Sequence, residues 1–134
     1  MKKLYPSDKI YVGKSHVAKN ERGVFAKRAI KKNELIETCP VIEVSKQDAK
    51  NLRESILITY FYYFGKKKER FVTALGFGSL YNHTYSPNAV YSVNHKTQVL
   101  QFKAIRDIKK DEEITVNYIF AYPNAKSPLW FENA

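Results

Sequence analysis

Cysteine is almost absent from this sequence, where Cys39 is the only one among 134 residues. A single cysteine cannot form a disulfide within the chain or supply the thiolates of a cysteine-based zinc cluster. A disulfide-stapled fold and a cysteine-type zinc finger are therefore excluded. The protein is expected in a reducing compartment, either the cytoplasm or the nucleus.

Long apolar segments are missing as well. The longest apolar run extends from Ser55 to Phe64, whereas a helix that spans a membrane needs about 20 apolar residues. The N-terminus is basic, but no apolar stretch follows it, so the sequence indicates no signal peptide. We therefore expect a soluble protein that makes no contact with a membrane.

Acidic residues are few relative to basic ones. The chain has 23 Lys and Arg residues against 13 Asp and Glu residues, which gives a formal net charge of +10. Such an excess attracts polyanions, nucleic acid among them. Because the lysines are spread along the chain, non-specific contact with nucleic acid and a merely solvated lysine surface both remain open.

Short strand-like runs separated by turns make up most of the chain. They lie at Gly23–Lys27, Glu34–Thr38, Val41–Val44, Phe71–Leu75, Asn88–Val93, Gln98–Ile105 and Glu113–Tyr118. Pro40 separates the second run from the third. The fifth and sixth runs flank a turn and predict a hairpin, with Ala89, Tyr91 and Val93 on one face. The length suits one domain, and the pattern predicts a mainly β fold.

One helix is predicted within this β pattern. Ser45 and Asp48 resemble a capping box, and apolar residues then recur at helical spacing to about Ile58. The aromatic run Tyr60–Phe64 either extends that helix or forms a further strand.

The histidines predict neither a metal centre nor a hydrolytic triad. His16, His83 and His95 lack the spacing of metal ligands. Ser79 is close to His83 in sequence, but no nucleophile-elbow pattern surrounds it. Metal-dependent chemistry and serine hydrolysis are therefore poorly supported.

Two segments carry more information, Asn82–Asn88 (NHTYSPN) and Asp111–Tyr118 (DEEITVNY). Taken singly, the polar residues of the first satisfy loop backbone groups, and Tyr118 is a half-buried aromatic residue at the end of a strand. A tyrosine hydroxyl in an aromatic pocket can also orient an amine or a methyl donor. Periodicity alone leaves both interpretations open.

In this order and combination, the two segments resemble the signature motifs of the SET-domain lysine methyltransferases. Asn20–Ile36 resembles the opening G-x-G-V-F element of that family and the turn after it. Leu75–Tyr81 runs into the first motif and Ala104–Lys110 into the second. The resemblance covers about residues 20–122, and the short chain is similar to the minimal viral histone methyltransferases.

The resemblance implies a fold, a cofactor and a substrate. It implies small curled β-sheets with one inserted helix and a threaded C-terminal segment, in a single SET domain over residues 1–134 with 123–134 as a lid or tail. S-adenosylmethionine would be the methyl donor. The substrate would be a protein, for which a histone is one candidate. One of its lysines would reach the methyl donor through a narrow channel. The minimal viral enzymes form dimers, so a homodimer is expected.

The resemblance also assigns roles to single residues. The positions carried over are Tyr118 for catalysis; Asn20, Arg22, Val24, Asn82, His83 and Trp130 for cofactor binding, with Phe131 as the alternative to Trp130; and Tyr62 and Tyr122 for the lysine channel.

The chain departs from the family pattern at three glycine positions. Asn33 and Asp111 replace turn glycines, and both residue types tolerate the left-handed conformation. Glu21 replaces the first glycine of G-x-G, which predicts backbone strain if that position needs a positive φ. Such strain would favour the alternative function, an inactive SET-like module that binds a basic or nucleic-acid-associated partner.

Overall fold

The computed structural model describes residues 2–19, 21–64 and 70–118. Asn20, Tyr122 and Trp130 lie outside the described residues. The strands are β1 Ile10–Lys14, β2 Arg22–Ala26, β3 Leu35–Val44, β4 Phe61–Phe64, β5 Arg70–Ala74, β6 Asn82–His83, β7 Ala89–Asn94, β8 Val99–Ala104 and β9 Glu113–Val116. The helices are α1 Lys46–Leu52 and a 3₁₀ helix, Ile56–Tyr60.

These strands form two sheets. The first has the order β1-β2-β9-β6, and the second has the order β4-β5-β3-β8-β7. Neighbouring strands run antiparallel, except that β6 and β9 are parallel. The predicted mainly β architecture is confirmed.

One hydrophobic cluster joins the two sheets. Val24 and Ile114 contribute from the first sheet, and Tyr91, Leu100 and Phe102 from the second, each no more than 2% exposed. The ring of Tyr81 stacks on that of Phe102 with centroids 3.9 Å apart. This packing fixes the segment before β6, which matters for the site described below.

The predicted hairpin is confirmed as β7 and β8, which pair in register from Ala89–Ala104 to Asn94–Val99. Ala89 and Tyr91 are buried and Val93 is half-buried, as the alternation indicated.

The break predicted at Pro40 is wrong, because β3 runs through it without interruption. Its first half pairs with β8 and ends at Pro40, and its second half pairs with β5 and begins at Val41. Proline lacks an N–H, so it is tolerated in a sheet only where no ladder bond needs one. Pro40 occupies the point at which the strand changes partners, while its carbonyl accepts a bond from the N–H of Leu75 at 2.9 Å.

The predicted helix begins as expected but ends early. The Ser45 hydroxyl accepts a bond from the N–H of Asp48 at 3.0 Å, and α1 then stops at Leu52. Ser55 starts the 3₁₀ helix by accepting from the N–H of Leu57. The Ser55 cap favours a new helical turn over the continuation of α1. A continuous helix would gain little in return, because Ala49 is the buried residue of α1. Among the described residues, no helix is long and apolar enough to cross a membrane.

The predicted left-handed turns are confirmed at two positions. Asn33 has a φ of 72° and Asp111 a φ of 67°. Both are residue types whose short polar side chains make this conformation tolerable. The left-handed Gln98, with a φ of 55°, is a position that the sequence did not indicate.

Candidate active site

The two sequence motifs meet where β6 pairs with β9. The parallel register places His83 beside Val116. Two residues later, the N–H of Tyr118 donates to Nδ1 of His83 at 2.9 Å. The last strand is therefore shorter than the predicted Glu113–Tyr118, because the main chain of Tyr118 bonds to a side chain instead of a neighbouring strand.

Tyr118 is held at three points. Besides the bond from its N–H, its carbonyl accepts from the hydroxyl of Tyr91 at 3.2 Å, and its own hydroxyl donates to the carbonyl of Tyr81 at 2.5 Å. Burial, followed by the charges of nearby groups, raises the pKa of the Tyr118 phenol well above its usual range. The phenol therefore stays protonated at neutral pH and cannot serve as a base there.

A cleft of about 300 Å³ lies beside this tyrosine. Its walls come from the loop before β2, the 3₁₀ helix and the segment around β6. The lining residues are Ala18, Glu21, Arg22, Ile56, Thr59, Tyr60, Ser79, Leu80, Asn82, His83 and Tyr118. Four of the residues assigned from the sequence thus share one cleft. Val24 is not among them, since it is fully buried and pairs with β1 and β9.

A narrow space of about 10 Å³ adjoins the cleft and shares four lining residues with it, Thr59, Tyr60, Ser79 and Tyr118. Tyr62 lines this space, and its ring stands edge-on to that of Tyr118 with centroids 6.3 Å apart. The hydroxyl of Tyr62 donates to the carbonyl of Gly78 at 2.7 Å. The cleft is therefore continued by a constriction with aromatic walls. The sequence did not predict Tyr60 as a lining residue, because the aromatic run Tyr60–Phe64 contains no pattern that shows which of its side chains face the cleft.

A buried carboxylate supports the other side of the cleft. Glu113, 6% exposed, accepts bonds from the Ser15 hydroxyl at 2.8 Å, the N–H of His16 at 2.6 Å and the amide of Asn82 at 3.0 Å. The Ser15 hydroxyl in turn accepts from the N–H of Ala18 at 2.9 Å. Glu113 thus fixes the loop before β2 to β6. The sequence motif contains Glu113 but gave no sign of this role.

Gly23 is required where β2 passes this carboxylate. A Cβ at this position would collide with the Glu113 side chain and would lie 3.0 Å from Nδ2 of Asn82. Glu21, by contrast, is accommodated without a positive φ. Its N–H donates to the carbonyl of Ala18 at 3.2 Å, and its carbonyl accepts from the N–H of Ser15 at 2.9 Å. The predicted backbone strain at Glu21 is therefore absent.

A larger groove, of about 770 Å³, lies between the N-terminal segment and the tip of the β7–β8 hairpin. Lys3, Tyr5, Thr38 and Lys96 are among its lining residues, and it shares none with the cleft at Tyr118. It contains no residue assigned from the two motifs. Size alone therefore does not identify the reactive site in this fold.

Comparison with known proteins agrees with the geometry. Residues 21–119 match the profile of the SET domain. This chain belongs to the SET domain family. It is similar to a histone-lysine N-methyltransferase of Schizosaccharomyces pombe named as specific for lysine 37 of histone H3. The two are 31% identical over 113 residues, which cover 84% of this chain and 71% of that protein. The predicted membership of the SET-domain lysine methyltransferases is confirmed.

Solved structures show the same fold. A proposed histone methyltransferase of Plasmodium falciparum is 35% identical with a TM-score of 0.64, over 85% of this chain and 100% of that one. An inhibitor-bound, humanised mutant of Chaetomium thermophilum polycomb repressive complex 2 has a TM-score of 0.68 and 21% identity, over 88% of this chain and 16% of that one. The second likeness shows the fold alone. The predicted SET fold is confirmed.

Proposed function

We propose that this SET-domain protein transfers a methyl group from S-adenosylmethionine to the side-chain nitrogen of a lysine in a protein substrate. The observation that carries the proposal is the position of Tyr118. Its ring and hydroxyl lie where the cleft meets the narrow aromatic space. A donor in the cleft and a lysine that enters from the side of the narrow space would therefore meet at this one side chain.

The cleft offers the groups that S-adenosylmethionine requires. Glu21 and Arg22 supply one charge of each sign for the amino and carboxyl ends of its amino-acid part. Leu80 and Ile56 supply apolar wall. The volume of about 300 Å³ is at the lower end of the usual range for small-molecule sites, about 300–1,000 Å³. The donor, when bound, supplies a methyl group on a positively charged sulfur.

The residues around the narrow space would prepare the lysine. A free lysine has a pKa of about 10.4 and must lose its proton before it can attack a methyl group. Walls formed by Tyr60, Tyr62 and Tyr118 disfavour the charged ammonium by excluding water from it. The phenol of Tyr118 stays protonated and donates to a carbonyl, so its oxygen lone pairs are left to orient the nitrogen. The main contribution of the protein is alignment.

Incubation with labelled S-adenosylmethionine and a panel of histones and cell-lysate proteins tests this function. Mass spectrometry of the labelled products should locate the methyl group on lysine. Histones are the first candidates, because relatives carry that activity in their names. Donor binding without transfer to any protein in the panel would contradict the proposal and support the alternative, a binding module. The strain at Glu21 that favoured this module is not observed.

Replacing Asn82 by alanine is expected to weaken donor binding. The Asn82 amide joins the carbonyl of Arg22 at 2.8 Å to the Glu113 carboxylate. Leaving the buried Glu113 carboxylate without this donor costs about 1–3 kcal/mol, which corresponds to about tenfold or more in affinity. Titration calorimetry measures the affinity, and a thermal melt measures the stability.

Asn94→Ala is the matched control for this variant. Asn94 caps the β7–β8 turn by accepting from the N–H groups of Lys96 and Thr97, and it lies outside the cleft. It should lower the melting temperature without changing donor affinity. If Asn82→Ala behaves in the same way, Asn82 has a structural role only.

We predict a homodimer of two-fold symmetry from the likeness to minimal viral enzymes. Light scattering after size exclusion at low micromolar concentration should report about twice the chain mass of 15.6 kDa. A monomer mass accompanied by full methyltransferase activity would contradict this prediction.

The remaining expectations stay predictions. They are a single domain over residues 1–134 with a lid or tail at 123–134, the roles of Asn20, Val24, Tyr122 and Trp130, contact with nucleic acid from the net charge of +10, and a location in the cytoplasm or nucleus.

A further inference from the structure

Glu37 is a second buried carboxylate, and none of the steps above uses it. It lies on β3 and is 7% exposed. One carboxylate oxygen accepts from the hydroxyl of Tyr81 at 2.8 Å, and the other accepts from the N–H of Phe77 at 3.0 Å. Burial, and after it the nearby Glu37 carboxylate, raise the pKa of the Tyr81 phenol, which therefore remains a donor to Glu37.

These two bonds hold both ends of the segment 76–81 against β3. Gly76 has a φ of 65°, and a Cβ there would lie 2.7 Å from Oε2 of Glu37. A Cβ at Gly78 would lie 2.8 Å from Sγ of Cys39, the next residue but one along β3. The segment is thus packed so closely on β3 that its path depends on the Glu37 side chain.

Two carbonyls of this same segment receive the hydroxyls of the two tyrosines. Gly78 accepts from Tyr62 at 2.7 Å, and Tyr81 accepts from Tyr118 at 2.5 Å. Both tyrosines line the narrow space, whereas Glu37 does not. A movement of the segment would therefore turn both hydroxyls at once, without a direct contact between Glu37 and a lysine.

We propose that Glu37 is a positioning residue for the lysine passage. Its carboxylate fixes the segment 76–81 and thereby aims the hydroxyls of Tyr62 and Tyr118 at the substrate nitrogen. This inference rests on the proposed methyl transfer and adds a residue to it. Both tyrosines line the narrow space, whereas the segment reaches the donor cleft only through Ser79 and Leu80, so Glu37 should affect kcat more strongly than donor affinity.

Glu37→Gln tests the proposal, because glutamine keeps the shape but has one acceptor oxygen for two donors. We expect kcat to fall by about tenfold to a hundredfold, the loss that misplacement of reacting groups produces. The Kd for S-adenosylmethionine should change by a smaller factor than kcat, because Glu37 does not line the donor cleft and acts on it only through Ser79 and Leu80. Glu43→Gln is the matched control. It makes the same change on β3, where Glu43 pairs with the exposed Arg70, and it should leave kcat unaltered.

A double-mutant cycle separates positioning from stability. If Glu37 acts through the Tyr62 hydroxyl, Glu37→Gln should reduce kcat less in a Tyr62→Phe background than in the wild type. If the role of Glu37 is purely structural, Glu37→Gln should reduce kcat by the same factor in both backgrounds. That result would overturn the proposal. If Glu37→Gln does not fold, Tyr81→Phe removes the bond from Tyr81 to Glu37 and should likewise reduce kcat by a larger factor than donor affinity.

The outcomes also separate this inference from the proposed function. If the wild type is active and Glu37→Gln has the same kcat as Glu43→Gln, the inference about Glu37 is wrong and the proposed function stands. A wild type that binds the donor and transfers no methyl group defeats both.

Discussion

Tyr118→Phe is expected to lower the rate of methyl transfer by about a hundredfold, the loss found when one positioned polar group is removed from a transition state. The ring and the main-chain bonds to His83 and Tyr91 remain, so the site keeps its shape. Only the hydroxyl that donates to Tyr81 is removed. Steady-state kinetics should show the change in kcat, while calorimetry should show a donor affinity close to that of the wild type.

Tyr11→Phe is the control for this variant. The Tyr11 hydroxyl donates to Asp111 at 2.8 Å on the surface, on a strand outside the cleft. This variant loses a hydroxyl and one hydrogen bond too, yet it should turn over at the wild-type rate. An unchanged kcat in Tyr118→Phe would remove Tyr118 from the catalytic role.

Glu113→Gln is expected to weaken the binding of S-adenosylmethionine by at least about tenfold and to lower the melting temperature. The carboxylate accepts from Ser15, His16 and Asn82, and glutamine cannot satisfy all of these donors with one oxygen. Each buried donor left unmet costs about 1–3 kcal/mol. The loop that carries Ala18 into the cleft would lose its anchor, so calorimetry should report weaker binding at a temperature where the variant is folded.

Glu112→Gln separates this effect from a general change of charge. Glu112 is the adjacent residue and pairs with the exposed Arg106 at 3.0 Å. Exposed ion pairs contribute about 0–1 kcal/mol, so this variant should bind the donor normally. Equal affinities in the two variants would show that Glu113 does not support the donor cleft.

The sequence identifies three residues of this site but does not show how they come together in the fold. Asn82, His83 and Tyr118 are identifiable because they stand in two specific motifs. Their meeting depends on parallel pairing of β6, a strand of two residues. So short a strand has no alternation of apolar and polar residues, and its partner cannot be read from the sequence.

The two buried carboxylates show a different limit. Acidic residues in strands usually face solvent, so neither Glu37 nor Glu113 was predicted to be buried. Their burial depends on donors far along the chain, such as Ser15, which is 98 residues from Glu113, and Tyr81, which is 44 residues from Glu37. Long-range pairing of this kind leaves no local signal.

Pro40 illustrates the same point for the fold. A proline between two strand-like runs indicates a break, and that inference holds wherever the strand keeps one partner. In this protein the partner changes from β8 to β5 at that residue. The exchange of partners is a property of the sheet, so the local sequence predicted two strands in place of one.

A crystal structure of the protein with S-adenosylhomocysteine and a lysine-containing histone peptide would show whether donor and lysine meet at Tyr118. We expect the donor product in the cleft lined by Arg22, Asn82 and His83. The lysine side chain should pass Tyr62, with its nitrogen within hydrogen-bond distance of the Tyr118 hydroxyl. A donor product bound in the larger groove near Tyr5, or a lysine that does not reach Tyr118, would contradict the proposed methyl transfer.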